Sequence, residues 1–332
     1  MLIFPSMMSP KQCGRFFFGL VSLGLCCLAL PEEVLAWGPG VHMVTGNWVL
    51  QNLTALSPAM AALLMRYPGQ FLHGCLSADI FIGKGSVARE GHSHNWDSAF
   101  ALLRRADRGR RKAYAYGYLA HLAADTVAHN VYVPESFARA PGSGRFAHVY
   151  LEAQADRLLA WDCRDALRVF HERESRDTAA LLRSTQSQKP FLFWLKSRVF
   201  QGSIALGGSR VWRSSMALVD SLLPRQSAAL PLDDMLTVAT RAIISLLRNP
   251  ETSPVLAFDP IGANALALAQ RRGRGKSVRR IADTIRLALS AKSVAGTREP
   301  GLPLPNVVLP EAMASLPPVC TPLHLHEPLE KQ

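Results

Sequence analysis

The chain has 332 residues, 48% of them hydrophobic, which is enough apolar material for a substantial buried core. Its 37 Lys and Arg against 25 Asp and Glu give a formal charge of +12. Such a surface favours anionic partners, whether acidic phospholipid surfaces, nucleic acid or acidic polymers, and charge alone does not choose between lipid and nucleic acid.

Near the amino terminus, Lys11 and Arg15 precede an uncharged run, Phe16 to Leu30. That run has the length of a signal-peptide core and is short for a membrane span. Val34-Leu35-Ala36 then supplies small residues at the positions a signal peptidase reads. The reading is a signal peptide over 1–36, export to the periplasm or medium, and Trp37 as the new terminus; an uncleaved anchor is the alternative. Removal of this segment leaves Cys75, Cys163 and Cys320, an odd set that excludes a disulfide-built scaffold and allows at most one bridge.

Downstream, alternating strand patterns are scarce, and Ala/Leu/Arg stretches recur at helical spacing. Helices are expected over Val41–Gln51, Ser57–Arg66, Trp96–Arg105, Arg111–Val131 and Arg145–Ala160. Further ones are expected over Thr178–Arg183, Phe191–Phe200, Ser209–Leu223, Leu232–Leu247 and Val278–Leu289. Asp79 to Gly91 reads as a Gly-bearing loop, Arg271 to Lys276 as a basic linker, and the tail after Glu299 as Pro-rich and irregular. The fold class is therefore all-α, a multi-helix bundle. A main domain is expected over 37–250, followed by a basic, Pro-rich extension over 251–332. The apolar run Phe191-Leu192-Phe193-Trp194-Leu195 reads as a buried core helix; a membrane-touching amphipathic helix is the alternative.

Seven of the ten histidines lie between positions 42 and 148. Residues four apart on a helix advance by about 40° around its axis, so His121, Asp125 and His129 would share one polar stripe. Small and apolar neighbours, Leu122, Ala123, Ala124, Val127 and Ala128, bury that stripe. Buried metal-capable groups are costly unless a metal or a hydrogen-bond network satisfies them. His148 and Glu152 repeat the spacing, and Asp156 extends it by a turn. A freed Trp37 amine with its own carbonyl, and His42 at the start of the first helix, offer further ligands. So do Asp79 and the His92/His94 pair, placed on loops or helix edges.

In this order the pieces resemble the zinc-dependent phospholipase C family and its cousins, the single-strand-specific zinc nucleases. The likeness spans Trp37 to about Asp156. It implies an all-helical fold holding up to three zinc ions and a phosphodiesterase that uses metal-activated water. Carried over by position, Trp37 and His42 would hold one zinc. Asp79, His94 and His121 would hold a second, with Asp125 bridging the two. His129, His148 and Glu152 would hold the third. His94 is favoured over His92 because Asn95-Trp96 follows it, and His73 falls outside the set. Asp79 is the candidate general base.

The four-residue gap from Asp125 to His129 looks like that of the glycosylphosphatidylinositol phospholipase D catalytic domain. The Trp37 opening is similar to the nucleases, and Glu152 to the phospholipases. Phospholipid is the expected substrate, with peripheral contact to an anionic membrane surface. A nuclease acting on single-stranded nucleic acid, or a non-catalytic zinc-binding exported protein, is the alternative.

Overall fold

In a computed structural model, described over residues 38–81, 92–137, 144–222, 232–270 and 275–291 with Ala140 and scattered positions between 9 and 21, every regular element is helical. The sequence patterning called for this class: apolar residues recur at helical spacing, and no strand occurs among the described residues.

The centre of the bundle is α5, Gly109–Val127, almost wholly buried from Ala113 onward. In chain order before it come α1 (Pro39–Gln51), α2 (Pro58–Arg66), α3 (Pro68–Ser77), a 3-10 turn over Ala78–Phe81, and α4 (Trp96–Arg104). Local chemistry starts several of these. Ser57 accepts from the Met60 N–H ahead of Pro58, and Asn95 accepts from the Ser98 N–H at 2.7 Å. α1 has no cap of its own. Asp156, on α7 (Gly144–Leu158), serves instead, accepting the N–H groups of Gly40 and Val41 at 3.0 Å each. This clamp ties the helix bearing His42 to the helix bearing His148 and Glu152.

α3 is absent from the expected helices. Its packing explains it. Pro68 sits at the first turn, where no N–H is needed. Gly74 meets α5 at Gly117, where the two backbones touch: a Cβ on Gly74 would lie 2.0 Å from the Tyr114 carbonyl oxygen, and one on Gly117 2.0 Å from that of Phe71. The glycines mark a close helix crossing rather than a loop.

After α5 the chain passes through a π-helical turn, Ala128–Tyr132, and a short α6, Val133–Ser136. Beyond α7 follow α8 (Cys163–His171), α9 (Ser175–Thr185), α10 (Pro190–Gly207), α11 (Arg210–Leu222) and α12 (Leu232–Arg248). A 3-10 turn (Pro254–Ala257), α13 (Ala263–Gln270) and α14 (Gly275–Ala291) complete the described chain. α12 packs along α5, and Val255, Leu266, Ala282, Ile285 and Leu289 enter the same core. The stretch read as a basic linker is helical from Gly275.

One expectation is corrected. The run Phe191–Leu195 is not core: only Phe193 of the five is buried, while Phe191 is 67% and Trp194 53% exposed. The sequence could not separate these readings, because a helix apolar on all sides carries no directional signal. The signal-peptide reading, Trp37 and the Pro-rich tail lie outside the described residues or are covered only at scattered positions.

Candidate metal centre

Eight of the nine expected ligands come together as three groups, the first two sharing His121: His42, His121 and Asp125; Asp79, His94 and His121; and His129, His148 and Glu152. Within each group the candidate donor atoms lie within 4.8 Å of one another. The ninth, Trp37, is outside the described residues; its neighbour Gly38 opens α1 beside Asp156.

The residues arrive from five elements: His42 from α1, Asp79 from the 3-10 turn, His121 and Asp125 from α5, His129 from the π turn, and His148 and Glu152 from α7. His94 stands just ahead of α4, on a loop pinned from two sides. The Tyr118 hydroxyl donates to the Ser93 carbonyl, and the Ser98 hydroxyl to that of His92, each at 2.7 Å. His92 accepts the His94 N–H on its ring Nδ1 at 3.1 Å and belongs to none of the three groups. It braces His94. His73 is buried elsewhere, 3.0 Å from the Thr178 hydroxyl.

Asp125 is fully buried, and its two oxygens face different histidines. Oδ1 lies 3.3 Å from His42 Nε2, and Oδ2 lies 3.0 Å from His121 Nε2 and 3.4 Å from His94 Nε2. Asp79 Oδ1 is 3.1 Å from His94 Nε2 and 3.5 Å from His121 Nε2. The Nε2 atoms of His94 and His121 are themselves 3.2 Å apart. The His42 and His121 rings stack with centroids at 3.8 Å.

The contacts of His42 and Asp125 make poor hydrogen bonds, and the whole set makes a good coordination shell. Neither ring nitrogen of His42 and neither oxygen of Asp125 has a hydrogen-bond partner of acceptable geometry. An unsatisfied buried carboxylate costs several kcal/mol. Donor atoms about 2.0–2.1 Å from a tetrahedral zinc stand about 3.3 Å from each other. The observed separations of 3.0 to 3.5 Å straddle that value. Tautomers agree as well. His121 Nδ1 is 2.7 Å from the Cys75 carbonyl and His129 Nδ1 is 2.6 Å from the Pro260 carbonyl. A carbonyl only accepts, so each Nδ1 carries a proton and each Nε2 can offer a lone pair inward. The residues present fit divalent zinc.

The electrostatics point the same way. Burial, and then the charges of Asp79, Asp125 and Asp156, push the Glu152 carboxyl well above the ordinary carboxylate range. Burial also raises Asp79 and Asp125, but their histidine neighbours, His121 foremost, outweigh it and hold both carboxyls low. Burial lowers the His42 imidazole, and the adjacent His121 lowers it further. Acids packed this closely without solvent need a cationic partner.

The expected single stripe of His121, Asp125 and His129 breaks after Asp125. α5 ends at Val127, and the π turn carries His129 to His148, with ring centroids at 5.5 Å, and to Glu152. π turns of this kind recur at functional sites. Asn130 makes the turn possible, donating from Nδ2 to the Thr126 and Asp259 carbonyls at 2.9 and 2.7 Å.

A zinc-dependent phospholipase C family model matches residues 41–203, the interval that contains all eight described ligand candidates. Over residues 41–203 the chain is similar to the zinc-dependent phospholipase C family. No curated protein and no solved structure matches the chain. Zinc is the metal of this family, and three groups able to hold it are present.

Sequence reasoning missed a support that lies past the matched segment. Three successive carbonyls are engaged: Phe258 accepts from Trp96 Nε1 at 2.9 Å, Asp259 from Asn130, and Pro260 from His129. Gly262, with φ of +65°, lets this strap lie flat on the π turn; a Cβ there would stand 2.5 Å from the His129 Cβ and carbonyl oxygen. The signal available was a Pro-Ile-Gly stretch between two helical patterns. Gly262→Ala is expected to cost about 1–3 kcal/mol through overpacking. It should also weaken the third group's hold on metal by about 10–100-fold, the usual effect of losing a support behind a ligand. Urea unfolding and zinc titration with a chromogenic chelator check both.

Proposed function

We propose that the protein is an exported zinc-dependent phosphodiesterase that hydrolyses phospholipids in the manner of a phospholipase C. The observation that carries this is the family match together with the convergence of three His/carboxylate groups within its bounds. The ligand assignment follows the groups. His42, with the Trp37 main chain, would hold one ion. Asp79, His94 and His121 would hold the second, with Asp125 turning one oxygen to each. His129, His148 and Glu152 would hold the third. One closed structural site needs only four ligands, so this set exceeds a purely structural requirement.

Bound zinc supplies Lewis acidity, offsets negative charge on the phosphoryl oxygens and makes water nucleophilic near neutral pH. The protein's own groups do the rest. Asp79 is the most exposed residue of the three groups, at 8%, so its carboxylate stands where substrate and water enter. There it accepts the proton of the attacking water, as general base. His94 and His121 keep it ionised for that task. Asp125, Glu152 and the histidines behind it fix the geometry and exclude bulk water. Hydrolysis of a phospholipid would leave diacylglycerol and a phosphorylated head group.

Export is supported by the basic and apolar pattern of residues 11–36. The family match favours lipid over nucleic acid as substrate. The test is a panel of a chromogenic phosphocholine ester, mixed phospholipid vesicles and single-stranded DNA, run beside Asp79→Asn. Phospholipid and ester should be cleaved and DNA left intact. The variant should lose about 10²–10⁴-fold in turnover while elemental analysis still finds zinc. Unchanged turnover in the variant would exclude the base role, and cleavage of DNA alone would exclude the lipid substrate.

A further inference from the structure

α10 carries a bare apolar face. Phe191, Leu192, Trp194, Leu195, Val199 and Leu206 are between 37% and 67% exposed, and Val211 continues the strip on α11. Together they present on the order of 500 Å² of apolar surface, the size of the largest patch on a typical monomer, which is often functional. The opposite side of the helix is committed. Phe193 packs on Phe81, ring centroids 5.9 Å apart, in the 3-10 turn that carries Asp79, and Phe200 packs on Phe170 at 5.9 Å. The exposed face therefore rides on the element that presents the candidate base.

Charge selects the partner. From Thr178 to Val219 the sequence contains no Asp or Glu, while Arg183, Lys189, Lys196, Arg198, Arg210 and Arg213 fall within it. Arg198 lies over the Trp194 ring at 6.0 Å. An aromatic and aliphatic stripe on a segment whose only charged residues are cations suits the interface of an anionic bilayer. No helix among the described residues is long and apolar enough to cross a membrane, so such a face would lie on a bilayer rather than span it.

We infer that the outer face of α10 docks the protein on anionic phospholipid bilayers, bringing the Asp79 side of the metal centre to the lipid surface. This rests on the phospholipase reading for its purpose but not for its measurement. The experiment sediments the zinc-loaded full chain with vesicles of phosphatidylcholine, alone or with 30% phosphatidylserine, and compares it with the double variant Phe191→Ser/Trp194→Ser. The variant removes only exposed side chains, and circular dichroism and zinc content should match the parent. Binding to the anionic vesicles should exceed binding to neutral ones and fall at least about 10-fold in the variant, given that the two anchors are aromatic. Turnover of a soluble monomeric phosphodiester should not change. Equal sedimentation of parent and variant overturns the inference. So does a parent dimer that the variant dissolves in light scattering, which would assign the face to a second copy. Vesicle binding through this face without any lipid hydrolysis would leave the docking standing and remove the phospholipase reading.

Discussion

Chelation of the metal is expected to lower the thermal unfolding midpoint by about 10 °C, and readdition of zinc to restore it. Asp79, Asp125 and Glu152 are buried together with five histidines, and burial keeps bulk water from screening their charges. Native protein binds the ions and unfolded chain does not, so ligand at a thousandfold over its dissociation constant stabilises by about 4 kcal/mol. At about 2–4 °C per kcal/mol for a domain of this size, the shift is well outside error. The competing arrangement, a metal-free hydrogen-bond network of the same residues, predicts no shift. The contacts disfavour it already: a network would pair His42 with an acceptor and Asp125 with donors in line, and neither is so paired. A differential scanning calorimetry trace that is the same with and without chelator would decide for the network.

What the sequence could reveal follows from the range of each signal. His121 to Asp125 and His148 to Glu152 are pairs four apart on one helix, and helical geometry alone brings their side chains together; they are found 3.0 and 2.8 Å apart. Joining the two pairs into one centre needed the family likeness, because no local rule says that α5 and α7 face each other. Preference for His94 over His92 rested on its neighbours Asn95 and Trp96. In the structure Asn95 caps α4, and Trp96 anchors to the Phe258 carbonyl, so both hold His94 in place. The missed features are tertiary. Gly74 sits in α3, a helix not among those expected, and its role shows only where the α5 backbone lies against it. The π turn has no composition of its own and is visible only through Asn130 and the strap that accept its consequences. The solvent-facing side of α10 could not be read from a helix apolar all round.

Asp125→Ala should be the most damaging single change in the centre. Among the described residues, this carboxylate is the one group whose oxygens reach both His42 and the His94/His121 pair, so its removal opens two groups at once. Elemental analysis should find up to two ions fewer, and phosphodiester turnover should fall on the order of 10³-fold or more, since the charge stabilisation that drives the reaction goes with the metal. Glu152→Ala, which touches only the third group, should cost one ion. The distinctive result is thermal. With the bridging carboxylate gone there is less metal to lose, so the chelator shift of the parent should shrink toward zero in Asp125→Ala while persisting in part in Glu152→Ala. A full parental shift in the Asp125 variant would mean that the ions sit elsewhere in the molecule and that the buried carboxylate serves only to pair with His121.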